Sequence, residues 1–208
     1  MFKKIFVLVL VALFAAPLFS GAQEAKPIQL AVFDPVQLVP ADESIGGLRL
    51  SLFYPVNKDV TGVSVVALGV NKATGDVKGV EMGLGNWVEG SAYGVQLGFV
   101  NYVEDRCVGL QYGAANITKG DFTGIQWGIV NWTEGFMHGI QGGLLNVTKG
   151  EAVGVDLGVV NYNKGSFKGL QLGVVNYTDS LNGLQLGLAN YNGNKDPLEF
   201  MVFLNWSF

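Results

Sequence analysis

The sequence predicts an all-β fold built from a 15-residue repeat, and three observations support this prediction. Asparagine recurs every 15 residues from Asn71 to Asn176, and one more follows at Asn190. Glycine accounts for 30 of the 208 residues, and two glycines precede most of these asparagines, by seven and by three positions. Apolar residues alternate with a glutamine between the two glycines, which is the period of a β-strand.

The repeat unit is Gly, apolar, Gln, apolar, Gly, apolar, small, Asn, aromatic, followed by a polar turn that ends in Gly. Regular copies run from Gly79 to about Asn192, and two looser copies occupy residues 47–61 and 62–78. The turn sequences Thr-Lys-Gly and Thr-Glu-Gly suit a reversal of the chain because glycine adopts positive φ without strain. Each unit is too short for a pair of helices, so the repeat predicts strands and turns.

Two architectures are consistent with this repeat. In a β-solenoid-like stack with capping strands, each unit is one coil, the asparagines form a ladder inside or at a corner, and one apolar slot stacks in the interior. That slot contains Phe122, Met137, Ala152 and Phe167, and also Cys107, which is then a buried small hydrophobe. In the alternative, each unit is one strand of a closed antiparallel β-meander or barrel of about 10–12 strands.

The sequence divides into four segments. Residues 1–22 are predicted to be a signal peptide, because Lys3 and Lys4 precede an apolar run and small residues follow it. Residues 23–46 are predicted to be an N-terminal capping segment, and residues 47–192 form the repeat domain. Residues 193–208 are predicted to be a C-terminal closing strand.

The closing strand has an apolar face made by Phe200, Val202, Leu204, Trp206 and Phe208. A last strand that ends in Phe is similar to the closing strand of bacterial outer-membrane β-barrels, and this similarity implies membrane association through the C-terminal strand. The glutamine in the middle of most repeats argues against strands that face lipid all around a barrel. The alternative is a strand that caps the end of the stack.

Composition narrows the classes of function. The formal net charge is −4, and removal of Lys3 and Lys4 makes the exported chain more acidic, which argues against nucleic acid as a partner. One Cys and one His leave no material for a disulfide framework or a multi-histidine metal site. We therefore predict no catalytic residue, no metal and no cofactor, and a protein that is not an enzyme.

Aromatic residues that follow the repeat asparagine are the candidate binding residues. They are Trp87, Tyr102, Trp132, Tyr162, Tyr177 and Tyr191. If this position faces outward, the rings form a stripe that could bind carbohydrate rings or another envelope component. If it faces inward, the rings belong to the core.

The sequence Gly-Leu-Gln-Leu-Gly-Val-Val-Asn-Tyr at residues 169–177 resembles uncharacterised bacterial surface-repeat proteins built on Gly-Leu-Gln-x-Gly-x-x-Asn units. The resemblance implies an exported cell-envelope protein in the periplasm, outer membrane or cell surface of a Gram-negative-type bacterium. It implies a structural or interaction role, with envelope carbohydrate or another envelope protein as the partner. The alternative function is an outer-membrane β-barrel with a transport or scaffold role.

Overall fold

A computed structural model describes residues 25–195 and 197–208, and the predicted signal peptide lies outside them. The regular structure of these residues is β-strand. They form two compact units, one ending at Gly98 and the other beginning at Phe99. Both units are stacks of parallel coils in which equivalent positions lie about 15 residues apart, so the predicted β-solenoid is confirmed.

In the first unit, alternate strands stack directly on one another. Its strands are β1 (Lys26–Phe33), β2 (Val36–Gln37), β3 (Ile45–Tyr54), β4 (Val56–Asn57), β5 (Val60–Val66), β6 (Val70–Ala73), β7 (Val77–Met82), β8 (Gly85–Val88) and β9 (Ala92–Leu97). The parallel series β1, β3, β5, β7 and β9 forms one side of the coils, and β4, β6 and β8 form the other. Strand β2 folds back antiparallel on β1.

The second unit repeats this arrangement with longer strands toward its C-terminal end. Its strands are β10 (Val100–Val103), β11 (Cys107–Tyr112), β12 (Ala115–Thr118), β13 (Phe122–Trp127), β14 (Val130–Thr133), β15 (Met137–Thr148), β16 (Ala152–Leu172), β17 (Val175–Asn192) and β18 (Phe200–Ser207). Consecutive coils pair in parallel with Gln126 opposite Gln141 and Asn131 opposite Asn146. The antiparallel meander is therefore wrong. Only β18 is antiparallel in this unit, and it pairs with β17.

Each coil consists of two strands joined by a bend, as in β13 and β14. Within β13, Phe122 and Gln126 are buried while Ile125 and Trp127 are exposed, so alternate residues face inside and outside. Gly124 has a φ of 133°, and a Cβ at this residue would lie 2.0 Å from the carbonyl oxygen of Gly109 in the preceding coil. Glycine is required here both for the backbone conformation and for the close approach of the coils.

One column of apolar side chains fills part of the interior of the second unit. Phe122, Met137, Ala152 and Phe167 stack in this column with at most 1% of their surface exposed. Cys107 is buried at the equivalent position. The predicted apolar slot is confirmed, and the cysteine is a small hydrophobic residue of the interior.

A ladder of asparagine side chains runs through the interior beside the bend. Its members in the second unit are Asn101, Asn116, Asn131, Asn146, Asn161, Asn176 and Asn190. From Asn101 to Asn176, each Nδ2 group donates to the Oδ1 atom of the next asparagine at 2.8 Å, and the last member, Asn190, donates to the carbonyl oxygen of Gly187 at 2.9 Å. The Nδ2 group also donates across the bend, for example from Asn131 to the carbonyl oxygen of Gly142 at 3.0 Å. The asparagine ladder predicted for a solenoid is therefore confirmed.

A second ladder of glutamines lies opposite the first. Gln141 donates through Nε2 to the Oε1 atom of Gln126 at 2.8 Å, and Gln126 donates in the same way to Gln111. Thr148 joins the two strands of its coil by donating to the Oε1 atom of Gln141 at 3.2 Å. Polar groups taken from water are tolerated in this interior because they are hydrogen-bonded to one another.

Removing one coil tests this architecture. Deletion of residues 124–138 joins Thr123 to Gly139, which then occupies the place of Gly124 above Gly109, so every ladder is reconnected. We expect cooperative unfolding with a Tm within about 10 °C of the parent protein, measured by circular dichroism. Deletion of residues 124–130 is the matched control, because it removes half a coil and should abolish cooperative unfolding. Equal loss of structure in both variants would contradict the solenoid.

Candidate functional site

A row of apolar side chains, most of them exposed, lies at the bend of the second unit. This corner row consists of Phe99, Ala114, Ile129, Leu144, Val159, Val174 and Leu188. Ile129 and Leu144 have 54% and 58% of their surface exposed, and Phe99 has 69%. Since the asparagine ladder occupies the inside of the bend, these apolar side chains face outward.

Two further rows of outward side chains lie on the first strand of each coil. One contains Leu110, Ile125, Ile140, Val155, Leu170 and Leu184, and the other contains Tyr112, Trp127, Gly142, Leu157, Leu172 and Leu186. Together with the corner row, they form a surface that we call the apolar band. No member of the band is charged. The alternation of residue types along the sequence identifies these residues as one face of a strand. It does not say whether that face lies inside or outside the coil.

The six candidate binding residues also face outward. Their row follows the second strand of each coil, beyond the bend from the corner row. Trp87 in the first unit is 37% exposed, and Tyr102, Trp132, Tyr162, Tyr177 and Tyr191 in the second unit are half-buried. Of the two alternatives left open by the sequence, the structure therefore places the rings outside the core. Whether they bind a ligand stays a prediction.

The aromatic rings of neighbouring coils cover one another. Tyr177 lies between Tyr162 and Tyr191, with ring centroids 4.8 Å apart on both sides. The interplanar angles of these pairs are 15° and 1°, so the rings are stacked face to face. Both faces of Tyr177 are therefore covered, and Tyr162 and Tyr191 each have one face covered.

The aromatic row borders charged groups on its other side. The Tyr177 hydroxyl donates to Asp179 at 2.7 Å, and this hydrogen bond raises the pKa of Tyr177 to about 12. Lys149 lies 4.9 Å from the ring centroid of Trp132, a cation–π distance. The indole nitrogen of Trp132 donates to Glu134 at 3.2 Å. The rings therefore lie between the apolar band and the charged turns.

The turns opposite the bend form a charged edge. Glu134 accepts hydrogen bonds from Lys119 at 2.9 Å and Lys149 at 3.1 Å, one from each neighbouring coil. These two bonds hold the pKa of Glu134 at about 2. Arg106 and Asp121 form a further exposed pair at 3.3 Å. Opposite charges alternate along this edge, as expected for a surface that faces water.

In the first unit, an ion pair replaces the glutamine ladder. Arg49 donates to the Oε1 atom of Glu81 at 3.3 Å across the intervening coil, where Ser64 is small enough to leave space. Burial lowers the pKa of Arg49 to about 10 and raises the pKa of Glu81, while the attraction between the two charges opposes both changes. Neither side chain is exposed, so the pair holds the coils together and is not open to a substrate.

Asp156 is the one acid in the glutamine ladder of the second unit. It is paired in register with Gln141, and Gln171 donates to its Oδ2 atom at 3.3 Å. Its Oδ1 atom has no hydrogen-bond partner among the described residues. Burial raises the pKa of Asp156 to about 7, and the bond from Gln171 opposes this effect only weakly. A neutral carboxyl group suits this position, because it can donate as well as accept.

Comparison with family models, with curated proteins and with solved structures finds no match. The parts of the chain that the structure describes bring together no group of three His, Cys, Asp or Glu side chains that could bind a metal ion. They also contain no helix with the length and hydropathy of a membrane span.

Asp156 predicts a pH dependence of stability. Its pKa is about 7 in the folded chain and 3.8 as the reference value, so its contribution is greatest below pH 4 and is lost as the pH rises toward 7 and above. Asp156→Gln should restore the ladder and unfold at higher urea concentration than the parent protein at pH 8. The difference should shrink or reverse at pH 4. A difference that does not vary with pH would contradict the buried carboxyl group.

The buried ion pair predicts a second, independent effect. Glu81→Gln leaves the Arg49 charge buried without its partner and should lower the free energy of unfolding by about 3–5 kcal/mol. Combining it with Arg49→Gln and Ser64→Gln rebuilds a glutamine ladder and should recover most of this loss in urea titrations. Glu89→Gln is the matched control, because Glu89 pairs with Lys72 near the surface and should cost less than about 1 kcal/mol. No recovery in the triple variant would contradict this interpretation.

Proposed function

We propose that this chain is an exported bacterial cell-envelope protein with a structural or interaction role, and that its binding surface is the apolar band. The observation that supports this proposal is that three rows of apolar side chains face outward, whereas the asparagine and glutamine ladders occupy much of the interior. Apolar patches of more than a few hundred Å² are rare on monomers and are typical of interaction sites. The apolar leader at residues 1–22 supports export.

A role without catalysis is consistent with how the reactive groups are used. The carboxyl groups of Glu81 and Asp156 are enclosed in the stack, and the guanidinium group of Arg49 is enclosed with them. At the charged edge, Glu134 is bonded to two lysines. These groups contact other side chains of the coils, and their arrangement offers no nucleophile beside a base.

The geometry favours an apolar partner over a carbohydrate partner. Sugar rings stack on free aromatic faces, whereas both faces of Tyr177 and one face each of Tyr162 and Tyr191 are occupied by a neighbouring ring. The corner row offers aliphatic side chains that have no hydrogen bonds to give to a sugar. The transport alternative required a closed antiparallel barrel, and we do not propose it because the coils pair in parallel.

Cell fractionation tests the proposal. The full chain is expressed in a Gram-negative host, and the envelope and soluble fractions are compared after lysis. We expect the parent protein in the envelope fraction. In the triple variant Ile129→Ser, Leu144→Ser and Val159→Ser, the centre of the corner row is removed. We therefore expect the ratio of soluble to envelope-bound protein to rise at least tenfold.

The matched control changes the same number of outward residues away from the band. It combines Thr123→Ser, His138→Ser and Lys168→Ser, which lie on the first strand near the charged edge and are exposed. This variant should remain with the envelope. A parent protein found in the cytosol, or a triple variant that stays with the envelope as fully as the control, would contradict the proposal.

A further inference from the structure

We propose that the apolar band of the second unit lies in one leaflet of a lipid bilayer with neutral headgroups, with the charged edge in water. This inference rests on the proposed function, because it identifies the partner of the same surface. Four features of the unit support it: the separation of charge, the bend, the aromatic row and the backbone hydrogen bonds.

The first feature is the separation of charged from apolar side chains around the coil. The charged turns contain Glu134, Lys119 and Lys149, all on the edge opposite the bend. The three rows of the apolar band contain no charge. A charge at the centre of a bilayer is strongly disfavoured, so an uncharged surface of this extent is complementary to hydrocarbon.

The second feature is the convex shape of the band at the bend. The band covers the first strands and turns over the corner at Ile129 and Leu144, where more than half of each side chain is exposed. Seven coils spaced about 4.8 Å apart give it a length of about 29 Å. A second rigid copy could cover one side of such a ridge, and a stable interface needs about 800 Å² from each partner. Fluid acyl chains can cover both sides and the corner at once.

The third feature is the distance from the corner row to the aromatic row. Ile129 and Trp132 are separated by three residues of extended chain, which is about 10 Å. One leaflet of hydrocarbon is about 15 Å thick, and interfacial segments typically enter by about 5–10 Å. The rings of Trp132 and Tyr177 would then lie at the headgroup level, which Trp and Tyr prefer.

The fourth feature is the pairing of backbone amides at the bend. The amide of Ile129 donates to the carbonyl oxygen of Ala114 at 2.9 Å, and the amide of Leu144 donates to Ile129 at 3.0 Å. Val174 and Ala189 continue the series by donating to Val159 and Val174. The bend can therefore enter hydrocarbon without unpaired amides, which is the main requirement for backbone in a bilayer.

The balance of charge indicates which lipids suit this surface. The turns alternate acidic and basic residues, as in the Lys119, Glu134 and Lys149 group, and the formal net charge of the chain is −4. Within residues 25–195 and 197–208, these turns therefore form no basic surface that would select anionic lipids. Binding driven by apolar burial should be insensitive to salt.

Flotation with vesicles of palmitoyl-oleoyl-phosphatidylcholine tests the inference. We expect the full chain to float with the vesicles equally at 0.1 M and 0.5 M NaCl. Ile129→Asp combined with Leu144→Asp should reduce the bound fraction at least tenfold. Thr123→Asp combined with His138→Asp is the matched control, because it adds the same charges to the same two coils on the polar side. It should bind as the parent does.

Fluorescence quenching then measures which side enters the lipid. In a variant that keeps Trp127 alone, with phenylalanine at positions 87, 132 and 206, lipids brominated on the acyl chain should quench the emission at least twofold. In the counterpart with His138→Trp and Trp127→Phe, quenching should be absent. This readout is local, so lipid binding by the apolar N-terminus cannot produce it.

The outcomes separate the two proposals. Quenching at position 138 but not at Trp127, or equal flotation of the Ile129→Asp/Leu144→Asp variant and its control, overturns the lipid assignment. Envelope association without vesicle binding overturns it as well and leaves the proposed function intact. In that case, a dimer in sedimentation that the Ile129→Asp/Leu144→Asp variant abolishes would identify a second copy as the occupant, and a monomer would indicate another envelope protein. All variants are first checked by circular dichroism for parent-like unfolding.

Discussion

The asparagine ladder is the interaction on which the rest of the structure depends. A ladder asparagine of the second unit such as Asn131 bonds both to Asn146 in the next coil and to the carbonyl oxygen of Gly142 across the bend. A ladder of this kind is stable only when every member finds a partner in a dry interior, because an unpaired buried amide is costly. It therefore fixes the register of the coils and keeps their spacing uniform.

The buried glutamines determine which residues of each strand lie on the outer surface. Alternate residues of a strand point to opposite sides, so once Gln126 is committed to the inside, Ile125 and Trp127 must face outward. The glycines make the same stacking possible, because Gly124 has no Cβ and so lets successive coils approach closely. The exposed aliphatic surface is thus a consequence of the ladder and extends as far as the ladder does.

The 15-residue repeat predicted an all-β repeat fold, with parallel coils as one of the two architectures that it allowed. The stacking of Phe122 on Met137 belongs to that architecture and is confirmed. What the sequence could not provide was the direction of the alternating residues, because Leu170, Gln171 and Leu172 fit a strand with either set inside. The usual expectation of apolar side chains inside holds for Phe122 and Met137 but fails for the glutamine row, because its buried amides are hydrogen-bonded to one another. The sequence also did not predict the Arg49–Glu81 pair. These two residues are two coils apart and meet only because Ser64, in the coil between them, is small.

The two ladders of the second unit run in opposite directions. Asn131 donates toward the C-terminal end of the stack, to Asn146, whereas Gln141 donates toward the N-terminal end, to Gln126. The dipoles of one row of side-chain amides therefore oppose those of the other, and their sum along the axis is small. In an α-helix the peptide dipoles add, and charge accumulates at the ends. Coils can be added to this stack without such an accumulation, so electrostatics sets no limit on the number of repeats.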